Sequence, residues 1–98
     1  MALPDLAKRD KTSMKYYTYV LRSEKNGDLY IGSSENVYKR LALHNIGKVK
    51  STKGYRPWVL LQQEEFATRS EAFKREHFLK NHQQKELIKE KYGLVAKW

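Results

Sequence analysis

Three side chains sit where their helices should not want them. Thr68-Arg69-Ser70-Glu71 has capping-box spacing, a hydroxyl residue three positions before a glutamate, so a helix is expected to open there. Ala72, Phe73 and Leu79 supply its inner stripe, and Glu76 falls in the middle of that stripe, four residues from Ala72 and three from Leu79. A carboxylate on an inner face is costly unless it is paired or binds a cation. Glu76 is therefore expected to hold positive charge, either Arg40 or a neighbouring lysine in an ion pair, or a metal ion. Arg40 and His44 lie one turn apart on an earlier helix, beside the apolar stripe of Val37 and Leu41. Two basic groups cannot pair with each other, so their common neighbour should be an anion, a carboxylate or a phosphate. Taken singly, Arg40 reads as a snorkelling edge residue and His44 as a satisfied, partly buried histidine.

The elements that must position these groups are legible in outline. Tyr16 to Ser23 and Leu29 to Ser33 are rich in aromatic and β-branched residues, and Asn26-Gly27 between them is a strong hairpin signal. The two runs should pair antiparallel, with Tyr17 and Tyr19 on one face of the first strand and Tyr30 near the middle of the second. Ser34 is the expected N-cap of a helix from about Glu35 to Asn45 that stops at Gly47. The stretch 47–56 reads as a loop carrying Lys48, Lys50, Lys53 and Arg56 without a carboxylate. Four uncompensated cations among hydroxyls and glycines suit a phosphate backbone, and a solvated loop is the plain alternative. Pro57 opens a third strand, Trp58 to Glu64, at a position where it sacrifices no ladder bond. After the capping-box helix, Leu87, Ile88 and Tyr92 recur at helical spacing over 83–92, with Gly93 as the stop. Residues 1–13 show no periodicity and are expected to be a mobile arm. The apolar residues of Leu94 to Trp98 suggest a tail that docks on the core.

Composition narrows the classes. Ninety-eight residues, 40% of them hydrophobic, allow a single domain, here 14–98. There is no cysteine, which rules out disulfides, thiolate metal sites and a cysteine nucleophile. That absence is compatible with a reducing cytoplasm, the expected compartment. No apolar run approaches a membrane span, and no signal-peptide core is seen. The formal net charge of +9 points to a polyanionic partner, most plausibly nucleic acid.

Tyr17-Thr18-Tyr19 followed across a hairpin by Tyr30-Ile31-Gly32 resembles the paired signature tripeptides of the GIY-YIG nuclease family. The second matches letter for letter; the first has Tyr-Thr-Tyr for Gly-Ile-Tyr. Lys39-Arg40-Leu41-Ala42-Leu43-His44 then resembles the family's first-helix pattern, and Arg75-Glu76 its later glutamate. The likeness runs from Tyr16 to about Lys80 and is closest to the compact single-domain branch, related to the nuclease modules of the excinuclease C subunit and of phage homing endonucleases. Ser33 stands where some members carry lysine. Asn81 lies near the place of a supporting asparagine but not at its spacing.

The resemblance implies an α/β domain, a small, mainly antiparallel three-stranded sheet flanked by helices. It implies Tyr19, Tyr30, Arg40, His44 and Glu76 as catalytic residues, Gly32 as the motif glycine and Glu76 as metal ligand. Phosphodiester hydrolysis needs an activated water, stabilisation of charge on phosphoryl oxygens and help for the leaving oxygen. The chain has no carboxylate pair for two-metal catalysis and no paired-histidine metal motif. A single inner glutamate suits one Mg²⁺, with Mn²⁺ as the substitute, because that ion keeps several waters. Arg40 is a permanent cation whose fork fits phosphate. Either tyrosine could relay a proton, and His44 could relay one too or bind phosphate. The expected function is a metal-dependent DNA endonuclease, in the company of DNA-repair enzymes. DNA is the expected partner, with RNA left open. A noncatalytic nucleic-acid-binding module is the alternative, and a basic scaffold for acidic proteins a third reading.

Overall fold

The computed structural model describes residues 15–93. The expected arm at 1–13 and the expected docking of Leu94 to Trp98 lie outside them. Two tyrosine-bearing strands, β1 (Tyr16–Ser23) and β2 (Leu29–Ser34), pair antiparallel as the alternating sequence predicts. The hairpin between them is wider than a two-residue turn. Gly27 alone takes a positive φ, +80°, so Asn26 does not adopt the left-handed backbone that a tight Asn-Gly turn requires. Ser23 organises the loop instead. Its Oγ accepts from the Lys25 and Asn26 amides at 3.0 and 3.2 Å and donates to the Tyr55 carbonyl at 2.6 Å.

The third strand, β3 (Trp58–Phe66), adds to the other side of β1 and gives the order β2-β1-β3, antiparallel throughout. It runs two residues beyond the expected end, because Tyr16 and Tyr17 still offer partners to Phe66 and Glu65. β1 is thus the central strand, and Tyr19, Val20 and Leu21 are buried in succession, as expected of a strand covered on both faces.

One face of the sheet takes α1 (Val37–Asn45), the other α2 (Arg69–Leu79) and α3 (His82–Lys91). Tyr19, Leu21, Val37 and Trp58 form the core on the α1 side, and Val20, Leu29, Ile31, Leu79 and Ile88 the core on the opposite side. α1 begins two residues later than Ser34 as cap predicts. β2 still pairs through Ser34, so its backbone is spent on the ladder; Asn36 caps the helix and accepts from the Lys39 amide at 3.0 Å. Gly47, at φ +84°, follows the helix end as expected. Asn45 then ties α1 to β3 with a pair of bonds, donating to the Trp58 carbonyl at 3.0 Å and accepting from its amide at 2.7 Å.

The capping box of α2 forms with both of its bonds. Ala72, Glu76 and Leu79 are its buried residues, but Phe73 leaves the stripe and is 52% exposed. Leu87 of α3 is likewise half exposed, and Ile88 carries that helix's contact. Asn81 is the N-cap of α3, accepting from the Gln84 amide at 3.1 Å. Gly93 has φ +70° just past the helix end, as its role as a stop requires.

Candidate active site

The site begins with a missing side chain. A Cβ on Gly32 would stand 2.6 Å from the Tyr19 hydroxyl oxygen, 2.8 Å from Tyr19 Cζ and 3.1 Å from Tyr30 Cε2. Gly32 is paired with Tyr19 across the ladder, so the ring of the central strand lies over it and reaches the edge strand. Its backbone does not need glycine's freedom; the tyrosines need the space. Around that point the aromatic rings cluster, Tyr30 against His44 at 4.8 Å between centroids and against Trp58 at 6.2 Å.

His44 is fully buried, and both of its ring nitrogens are engaged. Nε2 is 3.1 Å from the Tyr19 hydroxyl and Nδ1 is 2.8 Å from Thr52 Oγ1. Burial pushes its pKa down to about 4, with Arg40 adding to the effect, so the ring is neutral at neutral pH. Both nitrogens are taken by partners within the fold, which leaves neither for a phosphate in this arrangement. Burial first, then the neighbouring Tyr30, raises Tyr19 to about 12, against the opposing pull of Arg40. Tyr19 therefore keeps its proton. Tyr30 is half-buried.

Glu76 is 9% exposed. Its Oε1 accepts from Ser33 Oγ at 2.6 Å, and its Oε2 lies 2.8 Å from Lys80 Nζ. The ion pair expected with Arg40 or a lysine is made with Lys80, one turn on. Strand register puts Ser33 opposite Thr18, and Thr18 donates to the Ala72 carbonyl of α2 at 2.7 Å. Ser33 and Glu76 thus belong to the α2 side of the sheet, whereas Tyr19, Tyr30 and His44 belong to the α1 side. The resemblance implies a common site for Tyr19, Tyr30, Arg40 and Glu76, and Glu76 comes to it from the opposite face of the sheet. They approach across β2, the sheet edge at Gly32-Ser33, and the Glu76 charge is still felt at the Tyr19 hydroxyl.

Arg40 comes in from α1, where its charge favours the ionised form of Tyr19, and among the described residues it has no carboxylate within ion-pair distance. It lines a groove of about 570 Å³ that crosses the same edge, with Lys39, Ser33, Ser34, Arg69 and Phe73. The cationic loop lies beyond His44. Lys48, Lys50 and Lys53 are exposed. Arg56 is exposed too, but its Nε donates to the Lys53 carbonyl at 2.8 Å and its guanidinium folds over Gly47.

Thr52 and Ser33 are the groups that sequence reasoning did not reach. Their partners lie across the fold or through irregular backbone, where no periodicity speaks. Thr18 did carry a signal, since it stands out of phase with Tyr17 and Tyr19 and so must face the other layer.

A carboxylate with a hydroxyl beside it, as Glu76 has in Ser33, fits a cation that stays mostly hydrated, and the groove next to Ser33 is itself lined by a second carboxylate, Glu35. Glu76 Oε2 already takes one positive charge, the ammonium of Lys80. Among the described residues no cluster of three His, Cys, Asp or Glu side chains could cage an ion. No described helix is long and apolar enough to cross a membrane.

Residues 15–92 match the family model described as the GIY-YIG catalytic domain. The chain is 42% identical over 76 residues to a UPF0213 protein of Staphylococcus haemolyticus, which covers 76% of this chain and 92% of that protein. A UPF0213 protein of Staphylococcus aureus is 38% identical over 80 residues, covering 78% and 96%. The solution NMR structure of a UPF0213 protein from Bacillus halodurans is 31% identical, covers 76% of this chain and 82% of its own, and superposes with a TM-score of 0.48. With the family match spanning every described strand and helix, the chain belongs to the GIY-YIG nuclease family.

Proposed function

We propose that this protein is a metal-dependent endonuclease that hydrolyses DNA phosphodiester bonds with one divalent cation, Mg²⁺ by preference. The observation that carries the reading is Glu76, a nearly buried carboxylate held by Ser33 at the sheet edge, where Arg40 and the tyrosine pair approach from the other face. Arg40 has a planar fork and, among the described residues, no carboxylate within ion-pair distance, which suits two oxygens of one phosphate. Glu76 and Ser33 would hold the cation, with Lys80 swinging off on its half-exposed stem. When bound, the ion supplies charge stabilisation on the phosphoryl oxygens and makes water easier to ionise. Between the tyrosines, Tyr19 is committed to His44 and closed off from solvent. Tyr30 is the more open phenol and is the better placed to take a proton from an attacking water. Lys48, Lys50 and Lys53 hold the flanking backbone through phosphates, with little sequence preference.

The test is nicking of supercoiled plasmid by wild type and Glu76→Gln, with and without Mg²⁺. Gln keeps the shape and the bond from Ser33 while removing the charge. The variant should fold and bind DNA as wild type does, and lose cleavage by orders of magnitude. Wild-type nicking by purified Glu76→Gln would refute the assignment. The second reading, a noncatalytic DNA-binding module, is favoured by the Lys80 pair, which already balances the Glu76 charge. It takes over if wild type binds DNA tightly and never cleaves.

A further inference from the structure

We infer that the Lys80 ammonium occupies the place at Glu76 that a divalent cation takes, so that side chain and metal exclude each other and the free protein carries its own counter-ion. The bearing of this on catalysis rests on the proposed function. The competition itself is a property of Ser33, Glu76 and Lys80.

Glu76 is unlike the other paired carboxylates. Among the described residues Glu24, Glu64, Glu65 and Glu86 also meet a cation, and their side chains are between 32% and 52% exposed. Pairs of that kind are worth little, since water serves each partner nearly as well. The Glu76 side chain is 11% exposed, and a carboxylate so far out of water needs a compensating charge. Lys80 supplies it from one turn further on. Its backbone is the C-cap of α2, where its amide donates to the Glu76 and His77 carbonyls at 3.1 and 3.3 Å. The stem therefore starts from a fixed point, at the end of a helix where positive charge is favoured. Its far end has room to move, because the Lys80 side chain is 46% exposed.

Each Glu76 oxygen then has its partner, Ser33 Oγ at 2.6 Å on Oε1 and Lys80 Nζ at 2.8 Å on Oε2. The two partners differ in what they can do toward a metal. A hydroxyl can turn its proton away and offer a lone pair, whereas an ammonium has three donors and no acceptor. Ser33 can share an ion with Glu76; Lys80 can only repel it. An ion on either oxygen of this carboxylate stands within a few ångströms of the ammonium, so Lys80 must withdraw before the ion is held well. Its flexible four-carbon stem lets it do so without disturbing α2. The cost of parting Lys80 from Glu76 is subtracted from the affinity of every divalent ion, and the free protein takes up such ions weakly.

The experiment is titration of the full chain with Mn²⁺ at neutral pH and low salt, read by the EPR signal of the free ion. Lys80→Met keeps the bulk of the stem and removes the charge. It should bind Mn²⁺ about tenfold more tightly than wild type, within the range usual for two coupled ligands. Lys80→Arg, which keeps a cation, should return the affinity toward wild type. In a Glu76→Gln background Lys80→Met should have no effect on Mn²⁺, which separates binding at Glu76 from binding near Glu35 in the neighbouring groove. Equal affinities in wild type and Lys80→Met overturn the inference, as does weaker binding in Lys80→Met. If Lys80→Met does not fold, wild type decides by NMR of its lysine Nζ groups, with Lys80 assigned through Lys80→Arg. Saturating Mg²⁺ should release Lys80 Nζ and erase the slowed proton exchange that the pair confers; a Lys80 signal unmoved by Mg²⁺ overturns the inference. Plasmid nicking is scored apart from binding. Wild type that shows the competition and cleaves nothing ends the nuclease reading and leaves this inference standing. Wild type that nicks with Mg²⁺ while Lys80→Met binds Mn²⁺ no better does the reverse.

Discussion

Gly32 shows how a motif glycine can be required for what lies above it. Its φ is not positive, so alanine meets no backbone penalty there. The penalty is steric, and the atoms in the way belong to the ring of Tyr19, which is 1% exposed and cannot swing aside. Gly32→Ala should lower stability by about 1–3 kcal/mol, the usual cost of overpacking a filled core, and should drive the Tyr19 hydroxyl off His44. Denaturant unfolding and the His44 imidazole signals would read the two effects. A variant as stable as wild type with unchanged imidazole signals would show that the rings have room that the geometry denies them. The residue identities at this site were open to sequence reasoning through the resemblance carried by Tyr17-Thr18-Tyr19, Tyr30-Ile31-Gly32 and Lys39-Arg40-Leu41-Ala42-Leu43-His44. Ser33 and Thr52 were not, since Ser33 meets Glu76 across 43 positions and Thr52 meets His44 through irregular backbone.

At the scale of elements, the loop between α1 and β3 is a built structure. It is tied by Thr52 to His44, by the Tyr55 carbonyl to Ser23 and by the Gly54 carbonyl to Lys25 Nζ at 3.1 Å. Its lysines point outward from that frame. Replacing Lys48, Lys50 and Lys53 together with Gln should flatten the salt dependence of DNA binding by up to roughly one unit of slope per lost phosphate contact. Arg56→Gln should change the slope less and loosen the loop more, because its Nε is spent on the Lys53 carbonyl. A slope unmoved by the triple change would return the loop to ordinary solvated surface. Helix α2 is placed with similar care. Thr18 pins its first turn through Ala72, which sets where Glu76 arrives one turn later. The capping box and the glycine stops were legible because they are local rules. The start of α1 was misjudged because Ser34 has cap chemistry and a strand's obligations at once, and the ladder won.

For the whole molecule, a buried neutral histidine makes stability depend on acid. His44 has an ordinary pKa near 6.5 when unfolded and about 4 when folded. Below 6.5 the unfolded chain takes up a proton that the folded chain refuses, so stability falls as pH drops through that window and levels off only below about 4. Between pH 7 and pH 5 the loss from this group should be about 2 kcal/mol. Urea unfolding across that interval should show it, and His44→Gln should show a shallower decline; equal slopes would mean that the ring is not kept neutral by the fold. The sheet order was the part of the architecture that periodicity could not supply. Three strand-like runs are compatible with more than one order, and the clue was the unbroken apolar run at Tyr19-Val20-Leu21. That order also has a consequence in time. Tyr19 pairs on one side with Gly32, nearby in the chain, and on the other with the distant Gln63. A hairpin closes in roughly 1–10 μs, whereas bringing back a remote strand must first overcome the entropy of a long loop. The tyrosines, Arg40 and His44 lie on the early, local half of the chain, and Glu76 comes after all three strands. On the proposed nuclease reading, a chain emerging from synthesis holds Arg40 before it has Glu76, and hydrolytic capacity comes last.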